Sequence, residues 1–155
     1  MEPADDKCFG FPASAALVLK RGDDILLQLR QGTGYADGLY CLVGGMIDGN
    51  ERASDAMIRE AYEEAGIVIA PEDLHFACVM HSREPNREYI NFFYTCDQWQ
   101  NEIRNAEPEY CVELKFFPVD QLPENMMGHI RQGIMQTLNK QPYGEYGWDE
   151  REKKT

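Results

Sequence analysis

Basic charge is scarce in this chain. Its 155 residues include 27 Asp and Glu against 15 Lys and Arg, a formal net charge of −12. That balance excludes a broad cationic surface for duplex nucleic acid or an anionic membrane. An anionic substrate would need local help, from metal ions or a few well-placed Arg and Lys. Long apolar runs are missing too: nowhere do 18 apolar residues follow one another, so no segment reads as a membrane span. The five cysteines, Cys8, Cys41, Cys78, Cys96 and Cys111, contain no C-x-x-C pair. This argues against zinc or a redox dithiol and favours a reducing compartment. The opening "MEPADDKCFG" is acidic and polar rather than a charged start followed by an apolar run, and so does not read as a secretory signal. The expectation is a soluble, cytoplasmic protein. His75, His81 and His129 lack the spacing of a metal motif and are assigned structural or surface roles. Repeats and low-complexity tracts are absent.

The length fits one domain, taken as residues 1–155, with a flexible tail from about residue 149. "ASAALVLKRGDDILLQLRQ" (13–31) reads as a hairpin around Arg21–Asp24, and "LYCLVGG" (39–45) as a short strand. A helical pattern runs from Arg52 to Ala65, where Gly66 stops it as a C-cap. "LHFACVMHS" (74–82) and "EYINFFYTCDQW" (88–99) predict two strands joined by a polar loop, "REPNR". "VELKFFPV" (112–119) predicts another strand, and residues 126–140 a second helix with Met127, Ile130, Ile134 and Leu138 on one side. The stretch "YGEYGWDEREKKT" reads as a tail whose aromatics fold back and whose charged end frays.

The first helix poses the central question. At about 100° per residue, Glu60, Glu63 and Glu64 share one arc, while Ile58, Ala61, Tyr62 and Ala65 lie opposite. Crowded like charges repel, so something must offset them, and a divalent cation is the first candidate. A solvated acidic face is the plain alternative. The paired glycines before the helix and Arg59 beside Glu60 weigh against it.

Gly45, Glu51, Arg59, Glu60, Ala61, Glu63, Glu64, Gly66 and Ile67 occupy every constrained place of the Nudix box. The chain therefore resembles the Nudix hydrolase superfamily, closest to its MutT-like nucleoside triphosphate pyrophosphohydrolases. The box covers residues 45–67, and the order of strands and helices extends the likeness along nearly the whole chain. One departure is Val43, where many members have proline. The resemblance implies an α/β Nudix fold, an α/β/α sandwich around a mixed β-sheet. It implies Mg2+, or alternatively Mn2+, held by Glu60, Glu63, Glu64 and the Gly45 main-chain oxygen, with a further carboxylate from the 104–114 segment, where Glu107 is preferred among Glu107, Glu109 and Glu113. Glu60 is the candidate general base, and Arg59 with Glu51 an ion pair behind the ligands. The chemistry suits the spacing. A diphosphate is shielded by its own charge, and hard cations that prefer oxygen ligands neutralise it and help generate hydroxide.

The box does not choose the substrate. A nucleoside triphosphate, including an oxidised purine form, is the leading expectation, cleaved to monophosphate and pyrophosphate. ADP-ribose or another nucleotide sugar is the alternative, supported by a weak match at Pro85, and a non-catalytic Nudix-fold ligand sensor is the alternative of another class. An intact carboxylate set argues against the sensor. For substrate contacts the sequence offers Asn125, which reads a purine edge in the MutT-like pattern but could equally cap the final helix, together with Arg30 and, on the strand-connecting loop, Arg83 and Arg87, for which solvent exposure is the equal alternative. Phe92 and Tyr94 could stack a base, but core packing is the stronger reading. The expected partner is a small nucleotide, with the chain a monomer or homodimer.

Overall fold

The computed structural model describes residues 8–149. Nine strands and two helices follow in the order β1 (Ala13–Leu17), β2 (Lys20–Arg21), β3 (Asp24–Arg30), β4 (Tyr40–Cys41), β5 (Val43–Met46), α1 (Ala53–Ala65), β6 (Leu74–Glu84), β7 (Arg87–Cys96), β8 (Cys111–Pro118), α2 (Gly128–Leu138) and β9 (Tyr143–Tyr146). One sheet has the order β5-β1-β7-β6-β9. It is mixed, since β1 runs parallel to β7, and β9 parallel to β6, while the other pairs are antiparallel. In the other sheet β3 pairs with β2, β4 and β8.

Side-chain alternation explains why both faces of the first sheet are covered. Ala15 and Leu17 of β1 pack with Met57, Ala61 and Ala65 of α1. Ala16, between them, packs with Ile130 and Ile134 of α2. β7 repeats the pattern: Phe93 joins the α2 side, and Phe92 and Tyr94 the α1 side. The expected α/β/α sandwich around a mixed sheet is thus the observed architecture, and core packing is the role of Phe92 and Tyr94.

Several elements differ from expectation. "LYCLVGG" is not one strand: it breaks at Leu42, and β4 and β5 enter different sheets. The polar loop "REPNR" shrinks to a turn of Pro85 and Asn86, because the ladder continues to Glu84 opposite Arg87. Tyr62, placed by periodicity on the core side of α1, is 58% exposed; Met57 fills that side instead. Residues 143–146, read as part of a tail, form β9 along the β6 edge, and the Trp148 indole donates to the His81 carbonyl at 3.1 Å. The charged end of that tail lies outside the described residues. Among those described, no helix is long and apolar enough to cross a membrane.

Candidate active site

The paired glycines of β5 and one face of α1 make the core of the site. Gly44 lies so close to β1 that a side chain there would run into the Ala15 carbonyl, and a Cβ on Gly45 would collide with Glu60 Oε1. Only bare backbone lets β5 approach both neighbours. α1 ends at Gly66, which takes a left-handed conformation (φ 70°) and donates its N–H to the Tyr62 carbonyl.

Arg59 organises the acidic face. Its Nε and Nη2 donate to the two oxygens of Glu51 at 2.7 and 3.0 Å, a two-pronged pair of fixed geometry. Its Nη1 donates to Glu60 Oε1 at 3.0 Å and to Glu63 Oε2 at 3.2 Å, and Nη2 also reaches the Met46 carbonyl at 3.2 Å. One guanidinium therefore ties the β5 end, the following loop and the helix together. Glu51 also accepts from the Asp48 N–H at 3.0 Å. Arg59 and then the Asp48 amide hold the Glu51 carboxyl down at about 2, and Glu51 in turn holds Arg59 firmly protonated.

Glu64 is oriented differently. Its Oε2 accepts from Gln28 Nε2 on β3 and from the Gly44 N–H, each at 2.9 Å. Burial pushes its carboxyl up to about 8, and the charges of Glu60 and Glu107 push the same way. Burial also raises Glu60, with Arg59 opposing. Glu107 is raised by burial, then by Glu63 and Glu109. It arrives on the loop after β7, which docks on the end of α1 through Arg104 N–H to the Ala65 carbonyl and Ala106 N–H to the Glu64 carbonyl, both 3.0 Å.

Glu60, Glu64, Gly45 and Glu107 all line one cavity of about 710 Å³, and Arg30 lines it too. Among the described residues, no three His, Cys, Asp or Glu side chains stand as a ready-made cation cage. Arg59 bonds Glu60 and Glu63 together, and Glu64 is turned toward Gln28 and Gly44. The donor set is nevertheless all oxygen, as a hard divalent cation prefers, and the raised Glu64 and Glu60 carboxyls are groups that a cation would relieve.

Two expected contacts lie elsewhere. Arg83 projects to the Trp148 ring, 5.8 Å from its centroid, and is not part of the cavity wall; Arg87, across the turn, is. Asn125 is exposed and also off the wall: its Nδ2 donates to the Gly38 carbonyl at 3.1 Å, and its own carbonyl accepts the Tyr40 N–H at 2.8 Å. Nor does it cap α2, whose N-cap is Met127 without a side-chain hydrogen bond. The sequence reading missed Gln28, Tyr35, Glu84 and His129, all on the wall. Gln28 carried a signal, being the polar residue that interrupts the apolar run of β3 while 7% exposed. His129 faces the cavity, and burial lowers its pKa.

The sequence model of the NUDIX domain matches residues 10–138. An ADP-ribose pyrophosphatase of Methanocaldococcus jannaschii is 24% identical over 112 residues, covering 72% of this chain and 64% of its own length. The match thus spans less than two thirds of that protein. A MutT NUDIX hydrolase from Burkholderia pseudomallei superposes with a TM-score of 0.75 at 25% identity, covering 83% of this chain and 98% of that one. A bifunctional NMN adenylyltransferase/ADP-ribose pyrophosphatase from Francisella tularensis, complexed with AMP and a Mn ion, shares the fold with a TM-score of 0.65 at 22% identity, over 86% of this chain and 43% of that one. With the NUDIX domain matched over residues 10–138, and with Gly45, Glu60 and Glu64 of its box on the wall of one cavity, the chain belongs to the Nudix hydrolase superfamily.

Proposed function

We propose that the chain is a pyrophosphohydrolase that uses a divalent cation, Mg2+ or Mn2+, to split the diphosphate linkage of a nucleoside diphosphate derivative. The observation carrying this reading is the convergence of Glu60, Glu64 and Glu107 on one cavity beside the Gly44–Gly45 backbone. Glu60, Glu63, Glu64 and the Gly45 carbonyl would hold the cation, which when bound would neutralise phosphate charge and acidify water.

The chain's own groups have separable tasks. Gln28 and the Gly44 amide fix the Glu64 carboxylate, and Arg59 fixes Glu60 and Glu63. Glu60 offers Oε2, the oxygen that Arg59 does not contact, to take a proton from the attacking water. Its raised carboxyl moves toward the range in which a general base works best. Arg30 stands on the same wall to meet a phosphate oxygen.

A nucleoside triphosphate is the leading substrate, released as monophosphate and pyrophosphate. ADP-ribose is the second reading, and the name of the Methanocaldococcus jannaschii relative favours it. A panel of nucleoside triphosphates and ADP-ribose, incubated with Mg2+ or Mn2+, separates the two by product: pyrophosphate from the first, AMP with ribose 5-phosphate from the second. Glu64→Gln should lower turnover by roughly 10²-fold or more with the fold intact. No product from any substrate with either cation would defeat the proposal and leave the ligand-sensor reading in its place.

A further inference from the structure

Glu84 and Arg87 face each other across the β6–β7 ladder, where opposite charges usually pair. Here they do not. Glu84 Oε1 accepts from the Tyr35 hydroxyl, and the Arg87 guanidinium lies over the Tyr89 ring, 6.0 Å from its centroid. Among the described residues no Lys, Arg or His nitrogen stands within ion-pair distance of Glu84. Its carboxylate nevertheless lines the cavity, and its one hydrogen-bonding partner among those residues is a neutral phenol.

Tyr35 is held firmly in the β3–β4 loop. Asp37 accepts from Thr33 Oγ1 at 2.6 Å and from the Gly34 N–H at 3.0 Å, which closes the loop on itself. Arg30 Nε donates to the Tyr35 carbonyl at 3.0 Å, and the Arg30 guanidinium lies 5.6 Å from the Tyr35 ring centroid. The loop thus presents the hydroxyl to Glu84 from a fixed base.

The position of this pair relative to the carboxylates follows from the sheet. Gly45 lies opposite Ala15, Ser14 opposite Asn91, and Ser82 opposite Tyr89. From β5 to β6 is three strand spacings, roughly 14 Å at about 4.8 Å each. The floor between is polar but already satisfied: Ser14 Oγ donates to Asn91 Oδ1 at 2.8 Å, and Asn91 Nδ2 donates to Ser82 Oγ at 2.7 Å. Glu84 is the acceptor with capacity to spare, at the end of the cavity remote from Glu60 and Glu64. Its charge repels phosphate, while a carboxylate accepts two neighbouring donors well.

Building on the proposed hydrolysis at Glu60 and Glu64, we propose that Glu84, oriented by Tyr35, is a specificity subsite for a neutral group bearing two adjacent hydrogen-bond donors. Such a group is either the amino–imino edge of a purine or the vicinal hydroxyls of a second sugar, carried by the substrate away from the cleaved bond.

The test compares wild type with Glu84→Gln and Tyr35→Phe on GTP, ITP, ATP and ADP-ribose in the presence of magnesium. KM and kcat are measured, and the nucleotide-induced rise in melting temperature reports binding independently of turnover. Gln keeps the shape of Glu84 but turns half of the acceptor into a donor. The purine-edge arm predicts at least a tenfold rise in KM for GTP, with ITP, which lacks the amino group, affected less. The second-sugar arm predicts that rise for ADP-ribose and not for ATP. In either arm kcat stays within about twofold, and Tyr35→Phe gives a smaller loss in the same direction. Equal losses on all four nucleotides, or none on any, overturn the subsite. If wild type hydrolyses these substrates and Glu84→Gln is indifferent to every one of them, the subsite fails and the hydrolase reading stands. If no substrate turns over but the melting shifts show this selectivity, the hydrolase reading fails and the subsite stands.

Discussion

Gln28 of β3 donates to both the Leu42 carbonyl and Glu64 Oε2, at 3.0 and 2.9 Å, so a single amide joins the second sheet to the acidic helix. Replacing Gln28 by Met keeps most of the volume and removes the donor. Glu64 then retains the Gly44 N–H and loses its side-chain partner. Groups that orient a ligating carboxylate typically cost 10- to 100-fold when removed, and we expect kcat/KM to fall by roughly tenfold or more with the circular dichroism spectrum unchanged. Wild-type kcat/KM in Gln28→Met would show that the Gly44 amide alone suffices.

The two glycines of β5 should fail in different ways. Gly45→Ala drives a methyl group into the Glu60 carboxylate, which is a side chain and can swing aside. The protein should fold, with turnover reduced by roughly 10²-fold because Glu60 is displaced. Gly44→Ala meets the Ala15 carbonyl, which is backbone, so β5 itself must part from β1. Loss of several kcal/mol of stability is expected there, on the scale of overpacking a close-packed site. Melting curves beside activity assays distinguish the two, and equal melting temperatures for both variants would contradict the assignment.

Stability without metal should depend on pH through Glu64. Its carboxyl is raised from 4.5 to about 8 in the folded state, so the native protein holds a proton that the unfolded chain releases. The stability this contributes is complete below about pH 4.5 and is lost as pH rises through about 8. Melting temperature in EDTA should therefore decline over that window, and Glu64→Gln should flatten the decline. Magnesium or manganese, by binding the folded state selectively, should raise the melting temperature at the alkaline end. A metal-free curve that is level across the window, or that Glu64→Gln leaves unchanged, would show that Glu64 is ionised throughout.

Asn125→Ala removes a hydrogen bond from an exposed amide to the Gly38 carbonyl. We expect a loss of about 0.5–1 kcal/mol in stability and equal effects on kcat/KM for dGTP and dCTP. A loss confined to dGTP would restore the base-reading role that the sequence suggested.

Local repetition made part of this protein legible in its sequence. Glu60, Glu63 and Glu64 announce themselves because the helix repeats every few residues, and Gly66 marks its end. β1 and β7 were visible as apolar runs. What the sequence hid depends on partners far along the chain. Gln28 meets Glu64 across 36 positions, and Tyr35 meets Glu84 across 49. Residues 143–146 become a strand only because β6 offers an open edge, and no periodicity in "YGEY" records that. Arg83 and Arg87 looked equivalent as members of a loop. Once the loop contracts to two residues, pairing separates them, sending Arg83 to Trp148 and Arg87 to the cavity.

β9 has a consequence for how this protein behaves among its own copies. It is four residues long and covers β6 from Val79 to Ser82. A sheet edge stripped of its cover is a template for other strands. Chains shortened before Tyr143 would bare the β6 backbone beside Phe76, a side chain that is 55% exposed. Such fragments would keep every box residue and yet join edge to edge into insoluble material, so proteolytic clipping near residue 142 would be felt first as loss from solution rather than as loss of chemistry.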